Sequence, residues 1–226
     1  MELDSKYVKK AAADLGADLC GIASADRFGA APRGFAPWDV LPGCRSVIVV
    51  ALRFPASTLE ARSTIPYTVV RNDLSAAIDR LTVRLALELE SRGATVVPVG
   101  AIGPTELDAG TGRFRGIVSL KHAAELAGLG RIGKNTLLVN DRYGNMIWLG
   151  AVLTTTALEA DPLATYETCA GDCSLCRDSC PVGALDGAQM DQRRCWEHAF
   201  GEHEGGEWRI KCFTCRKVCP HCKGIY

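Results

Sequence analysis

A chain of 226 residues, 47% hydrophobic and 23% charged, is long enough for one ordinary domain and a small second one, which excludes disordered, collagen-like and coiled-coil architectures. Lys plus Arg and Asp plus Glu each number 26, and the resulting zero formal charge leaves no broad positive field to draw the chain onto nucleic acid or anionic lipid. The informative number is eleven cysteines, nine of them between Cys169 and Cys222. The first residues lack the basic-then-apolar run of a secretory leader, and the longest apolar stretch, 46–52, is strand-sized. The expectation is a cytoplasmic chain without membrane association. Thiols stay reduced there, so clustered cysteines read as metal ligands rather than disulfides, and their odd total argues the same way.

Residues 1–160 read as an α/β domain. Leu3, Tyr7, Val8, Ala11 and Leu15 predict a first helix stopped at Gly16, followed by a short strand over 18–23. The Gly- and Pro-rich stretch 28–43 reads as loop, and the β-branched run 46–52 as a strand covered on both faces. Leu74, Ile78, Leu81, Leu85 and Leu89 give the clearest helix, with Asp73 as its N-cap and Gly93 as its stop. A buried strand over 95–99 completes a strand–helix–strand unit. Residues 103–116 read as a flexible glycine-containing loop, 119–127 as a short helix, and 136–139 with 146–154 as a hairpin about 140–144. Asp161-Pro162 marks a boundary. Residues 161–226 hold too few branched aliphatics for a core of their own and need an inorganic group to hold them together.

That group is legible in the cysteines. Cys169-x3-Cys173-x2-Cys176-x3-Cys180-Pro181 is followed by Cys195 and by Cys212-x2-Cys215-x3-Cys219-Pro220. Paired Cys-x2-Cys-x3-Cys-Pro runs are the signature of ferredoxin-like domains with two 4Fe–4S clusters, in which the cysteine before each proline ligates the other cluster. By that rule one cluster takes Cys169, Cys173, Cys176 and Cys219, and the other takes Cys195, Cys212, Cys215 and Cys180. The three-residue first gap and the distance from Cys195 to Cys212 depart from the standard spacing, and Cys222 is left unassigned. The competing reading is a pair of zinc knuckles, which lack the paired Cys-Pro endings. Cys20 and Cys44, beside strands, read as buried small hydrophobes.

Gly128-Leu129-Gly130-Arg131-Ile132-Gly133 fits a dinucleotide fingerprint, and 128–134 nearly fits a phosphate loop, but helix precedes them where those motifs need a strand, and Asn135 stands where a phosphate loop needs Ser or Thr. Nucleotide binding is rejected on that context.

Residues 124–138 (AELAGLGRIGKNTLL), 41–52 (LPGCRSVIVVAL) and 149–154 (LGAVLT), followed by the two cysteine arrays, resemble the epoxyqueuosine reductase family, related to corrinoid reductive dehalogenases. The resemblance runs over nearly the whole chain. It implies an α/β domain followed by a small dicluster domain, cobalamin held between them, and electrons passing through the clusters to cobalt. The glycine run then becomes the candidate corrinoid surface, with Gly128, Gly130, Gly133, Lys134, Asn135 and His122 as cofactor-binding residues. The nearest text to the family's acid motif is Tyr67-Thr68-Val69-Val70-Arg71-Asn72-Asp73, which makes Tyr67, Arg71 and Asp73 the catalytic candidates, Asp73 also reading as the helix cap. Full-length family members continue into a helical-repeat domain that grips tRNA, and this chain resembles a short form without it.

Two readings follow. In one, the chain is a corrinoid-dependent oxidoreductase that passes low-potential electrons to a small substrate. In the other, it is an electron relay or a reductive activator of a corrinoid protein. From Arg193 onward there are seven Lys/Arg against four Glu, an excess suited to an acidic donor such as ferredoxin or flavodoxin. The remaining expectations are that tRNA is not bound, that the open side of the site is exposed or covered by a second copy in a homodimer, and that His198, His203 and His221 are surface residues.

Overall fold

The computed structural model describes residues 3–111, 113–202 and 206–225. The fold is mixed α/β. In chain order it comprises α1 (Ser5–Asp14), β1 (Leu19–Ser24), α2 (Pro37–Val40), β2 (Ser46–Arg53), α3 (Ile65–Glu90), β3 (Val96–Val99), β4 (Thr105–Asp108), β5 (Arg113–Gly116), α4 (Leu120–Leu126), β6 (Arg131–Ile132), β7 (Leu138–Val139), β8 (Ile147–Thr154), α5 (Leu175–Asp178), α6 (Gln192–Ala199), β9 (Phe200–Glu202), β10 (Trp208–Ile210) and α7 (Thr214–Lys217).

The chain forms two compact units that interleave along the sequence. The first consists of Met1–Arg53, Leu74–Gly130 and Trp148–Thr165, the second of Phe54–Asp73, Arg131–Ile147 and Tyr166–Tyr226. The sequence reading places a single boundary at 160/161. Here the cysteine-rich tail shares its unit with two upstream segments, because a stretch so poor in branched aliphatics takes its apolar packing from elsewhere in the chain.

In the first unit a four-stranded sheet runs in the order β1-β2-β8-β3. β1 pairs antiparallel with β2, and β3 pairs antiparallel with β8. Residues 46–51 of β2 are all buried, as a continuous β-branched run requires. Val8 and Ala12 of α1, Ile48 and Val50 of β2, and Ile78, Leu85 and Leu89 of α3 meet in one core with Val152 of β8. Asp4 caps α1, its carboxylate accepting from the Tyr7 amide at 2.7 Å. Asp161 closes the unit, accepting from the Ile22 amide at 2.8 Å.

Three expectations are corrected. α3 starts at Ile65, not after Asp73, so Asp73 lies inside a helix of 26 residues and caps nothing. Pro66 sits in the first turn, where its missing amide is tolerated, and side-chain packing draws the β-branched stretch 68–70 into helix against its propensity. Residues 105–116 are not loop throughout, because β4 and β5 pair antiparallel there. The turn about 140–144 forms, with Asn140 and Gly144 exchanging backbone hydrogen bonds at 2.9 Å, but the strands on either side of it do not pair: β7 pairs with β6, and β8 joins the large sheet.

The second unit is built of short pieces. β6–β7 and the β9–β10 hairpin are two-stranded, and α5 and α7 are single turns carrying Cys176 and Cys215. Its apolar support is an aromatic stack: Tyr67, 4% exposed, lies between Phe54 (ring centroids 4.7 Å) and Phe213 (4.3 Å). The Ile210 amide donates to Thr68 Oγ1 at 3.1 Å, fixing β10 to the first turn of α3.

Candidate functional site

The cysteines of the second unit gather into two sets. Cys169, Cys173, Cys176 and Cys219 line one cavity of about 420 Å³, together with Lys134 and His221. Within this set, desolvation raises the pKa of Cys176, and the nearby thiols of Cys169 and Cys173 add to the rise. Desolvation pushes Cys219 up to about 11, with Cys169, Cys222 and Cys176 acting in the same direction. In the other set, desolvation raises Cys195, helped by Cys212 and Cys180. Desolvation also lifts Cys215 to about 11, the Arg216 charge opposes it, and Cys195, Cys212 and Cys180 reinforce it. The cysteine before each Cys-Pro proline thus stands with the partners of the other array. The Cys222 amide donates to the Cys219 carbonyl at 3.0 Å. Among the described residues no three His, Cys, Asp or Glu side chains converge as the ligands of a single metal ion would. Four thiols lining one cavity fit the donor chemistry of an iron–sulfur core, whose binding removes the thiol protons.

The segment 133–136 buckles this unit together. The Lys134 ammonium donates to the carbonyls of Ala170 (3.0 Å), Gly171 (2.8 Å) and Cys173 (3.0 Å), spanning the three-residue gap that departs from standard spacing. The Lys134 amide points at Cys169 Sγ, 3.4 Å away. Asn135, 4% exposed, donates through Nδ2 to the Cys215 carbonyl at 3.3 Å, so neighbouring residues hold a loop of each set. A Cβ on Gly133 would stand 3.2 Å from Asn135 Oδ1 and 3.5 Å from Cys169 Sγ. Thr136 closes the run at φ 60°, an uncommon conformation for a β-branched residue.

These contacts bear on the residues predicted to face a corrinoid. Gly128 ends α4: its amide and that of Leu129 donate to the Glu125 and Ala124 carbonyls, its φ is +74°, and a Cβ there would sit 2.1 Å from the Pro162 carbonyl oxygen. Gly130, Gly133 and Asn135 are buried. Lys134 is committed to the cysteine loop. His122 is exposed in the first turn of α4, with Nδ1 2.7 Å from Ser119 Oγ. Within each unit these residues are thus held by contacts of the protein itself.

The catalytic candidates are also placed differently from a converging site. Tyr67 is sealed in its aromatic stack, and Arg71 lies over Trp208 with its guanidinium 5.4 Å from the ring centroid. Asp73 is exposed on α3. Of the histidines expected at the surface, His198 is exposed, His221 lines the first cavity, and His203 lies outside the described residues. What sequence reasoning missed is the Arg216–Asn145 pair. Arg216 is 7% exposed and donates to the Asn145 carbonyl, while Asn145 Nδ2 donates to the Arg216 carbonyl at 3.3 Å. The only signal was an arginine directly after a cysteine of the second array. No helix among the described residues is long and apolar enough to cross a membrane.

No family model matches the chain. A curated epoxyqueuosine reductase from Gloeobacter violaceus is 33% identical over 201 residues, covering 80% of this chain and 58% of its own length. The chain therefore spans little more than half of that relative. Among solved structures, an epoxyqueuosine reductase with an epoxyqueuosine-modified tRNA stem loop covers 97% of this chain and 66% of its own, with TM-score 0.62 and 22% identity. A reductive dehalogenase, whose structure suggests a mechanism for B12-dependent dehalogenation, covers 96% of this chain and 31% of its own, with TM-score 0.64 and 17% identity. The chain is epoxyqueuosine reductase-like in sequence over most of its length, and its fold is one shared by epoxyqueuosine reductases and reductive dehalogenases.

Proposed function

We propose that the chain is an iron–sulfur oxidoreductase that holds two 4Fe–4S clusters and passes low-potential electrons through them to an acceptor. The observation that carries this reading is the cavity lined by Cys169, Cys173, Cys176 and Cys219, thiols drawn from both arrays; the mutual electrostatic influence of Cys195, Cys215, Cys212 and Cys180 supports the second set. When bound, the clusters supply one-electron storage. The chain's own residues hold the cysteine loops, through the Lys134 and Asn135 bonds to their main-chain carbonyls. Anaerobic reconstitution tests the reading. About eight irons and eight acid-labile sulfides per chain are expected from two clusters, and stoichiometric zinc without sulfide would overturn it.

The relatives make a corrinoid the first acceptor to assay and an epoxyqueuosine-modified tRNA stem loop the first substrate. The stem loop runs against the sequence expectation that tRNA is not bound, and against the preference for a small substrate. Assaying both substrate classes under reducing conditions decides between them. A second reading, an electron relay supplied by a ferredoxin or flavodoxin, is favoured by the burial of Tyr67 and the separate placement of Arg71 and Asp73. Cluster oxidation by a corrinoid protein without substrate turnover supports the relay.

A further inference from the structure

Arg216 is 7% exposed in α7, directly after Cys215. Its Nη1 donates to the Asn145 carbonyl and lies 3.9 Å from Met146 Sδ. Both partners are neutral, and among the described residues no carboxylate stands within ion-pair distance of the guanidinium. A buried guanidinium is always charged, and without a counter-ion it carries one of the largest desolvation penalties a side chain can incur. The carboxylates supply no anionic partner, and Arg216 directly follows Cys215 in the single turn of α7. We propose that Arg216 is the built-in counter-charge of the anionic group held by Cys180, Cys195, Cys212 and Cys215, and that it sets how readily that group accepts an electron.

This rests on the cluster reading above but extends beyond it. Four thiolates outweigh the charge of an iron–sulfur core, and of zinc alike, so the loaded site is anionic. Reduction transfers one electron from the reductant, dithionite in a titration, to the core; no bond forms or breaks and no proton moves. The product is more negative than the reactant, so a fixed cation nearby favours it, as net charge and hydrogen bonding around such clusters generally do. Lys134 plays no part in this balance for the second set, because its ammonium is bonded to the 170–173 loop of the first.

The test is an anaerobic redox titration of the reconstituted full chain, followed by electron paramagnetic resonance, in wild type, Arg216→Gln and Arg216→Lys. Gln keeps a donor for the Asn145 carbonyl without the charge, whereas Lys keeps the charge. In Arg216→Gln, one of the two midpoints should fall so that the reduced-to-oxidised ratio at the wild-type midpoint drops about tenfold, equivalent to about 59 mV for a one-electron couple. The other midpoint should hold, and Arg216→Lys should stay within about twofold of wild type on the same scale. Equal behaviour of Gln and Lys, or two unmoved midpoints, overturns the proposal. If the chain loads zinc without sulfide, the cluster reading fails. The counter-charge is then judged on zinc release to a chelator, which Gln should accelerate and Lys should not; equal rates overturn it.

Discussion

The ammonium of Lys134 bonds the main-chain carbonyl of Cys173 at 3.0 Å, across 39 residues of sequence. With the Ala170 and Gly171 carbonyls it fills the loop that the extra residue between Cys169 and Cys173 creates, so the spacing anomaly and the lysine form one structural unit. Three charge-assisted bonds from one partly buried group predict that Lys134→Met destabilises the chain by about 2 kcal/mol. Urea unfolding of the reconstituted protein measures this, and an unchanged midpoint would remove Lys134 from the support of the loop.

Cys219 stands with Cys169 and Cys176, although it follows Cys212 and Cys215 in sequence. Cys219→Ala should therefore deplete the group bound by Cys169, Cys173 and Cys176, leaving the other intact. Two-component paramagnetic resonance of the reduced protein separates the two, and a loss confined to the second signal would reverse the assignment.

Tyr67 separates packing from catalysis. Its ring is stacked on both faces, so Tyr67→Phe should preserve stability and electron transfer, while Tyr67→Ala should cost about 3–5 kcal/mol through the cavity it leaves. Cluster oxidation by an acceptor, followed by stopped flow, is the check. A large rate loss in Tyr67→Phe with unchanged stability would restore the hydroxyl as a catalytic group.

Cys20 lies in β1 against the core of the first unit, and burial pushes its thiol up to about 12. Its folded pKa exceeds the value of about 8.5 for a free thiol, so the fold favours the protonated form, and stability is lost as pH rises above about 8.5. Cys20→Ala should flatten the alkaline limb of the stability profile. Native alkylation at pH 8 should spare Cys20 and the buried Cys44, since the thiolate is the reactive species. Mass spectrometry of labelled peptides shows whether either reacts at the rate of a free thiol.

Local pattern and local chemistry are legible along the chain. The β-branched run 46–52 became β2, the leucine and isoleucine spacing over 74–89 became the buried stripe of α3, and Gly128 stopped α4 because glycine tolerates the positive φ at which the helix closes. The cysteine spacings pointed to two all-thiol sets because thiolates are the strongest local chemical signal in the chain. Only the tertiary structure decided the rest. Ile65 to Asp73 became helix because Tyr67 packs between Phe54 and Phe213, rings that are distant in sequence. β7 and β8 parted because each found a better partner than the other. Lys134 and Asn135 reach carbonyls that the chain supplies 36 to 80 residues later, and Arg216 is buried where it bonds the Asn145 carbonyl. Contacts between such distant residues have no period and no local propensity, and folding alone brings their donors and acceptors together.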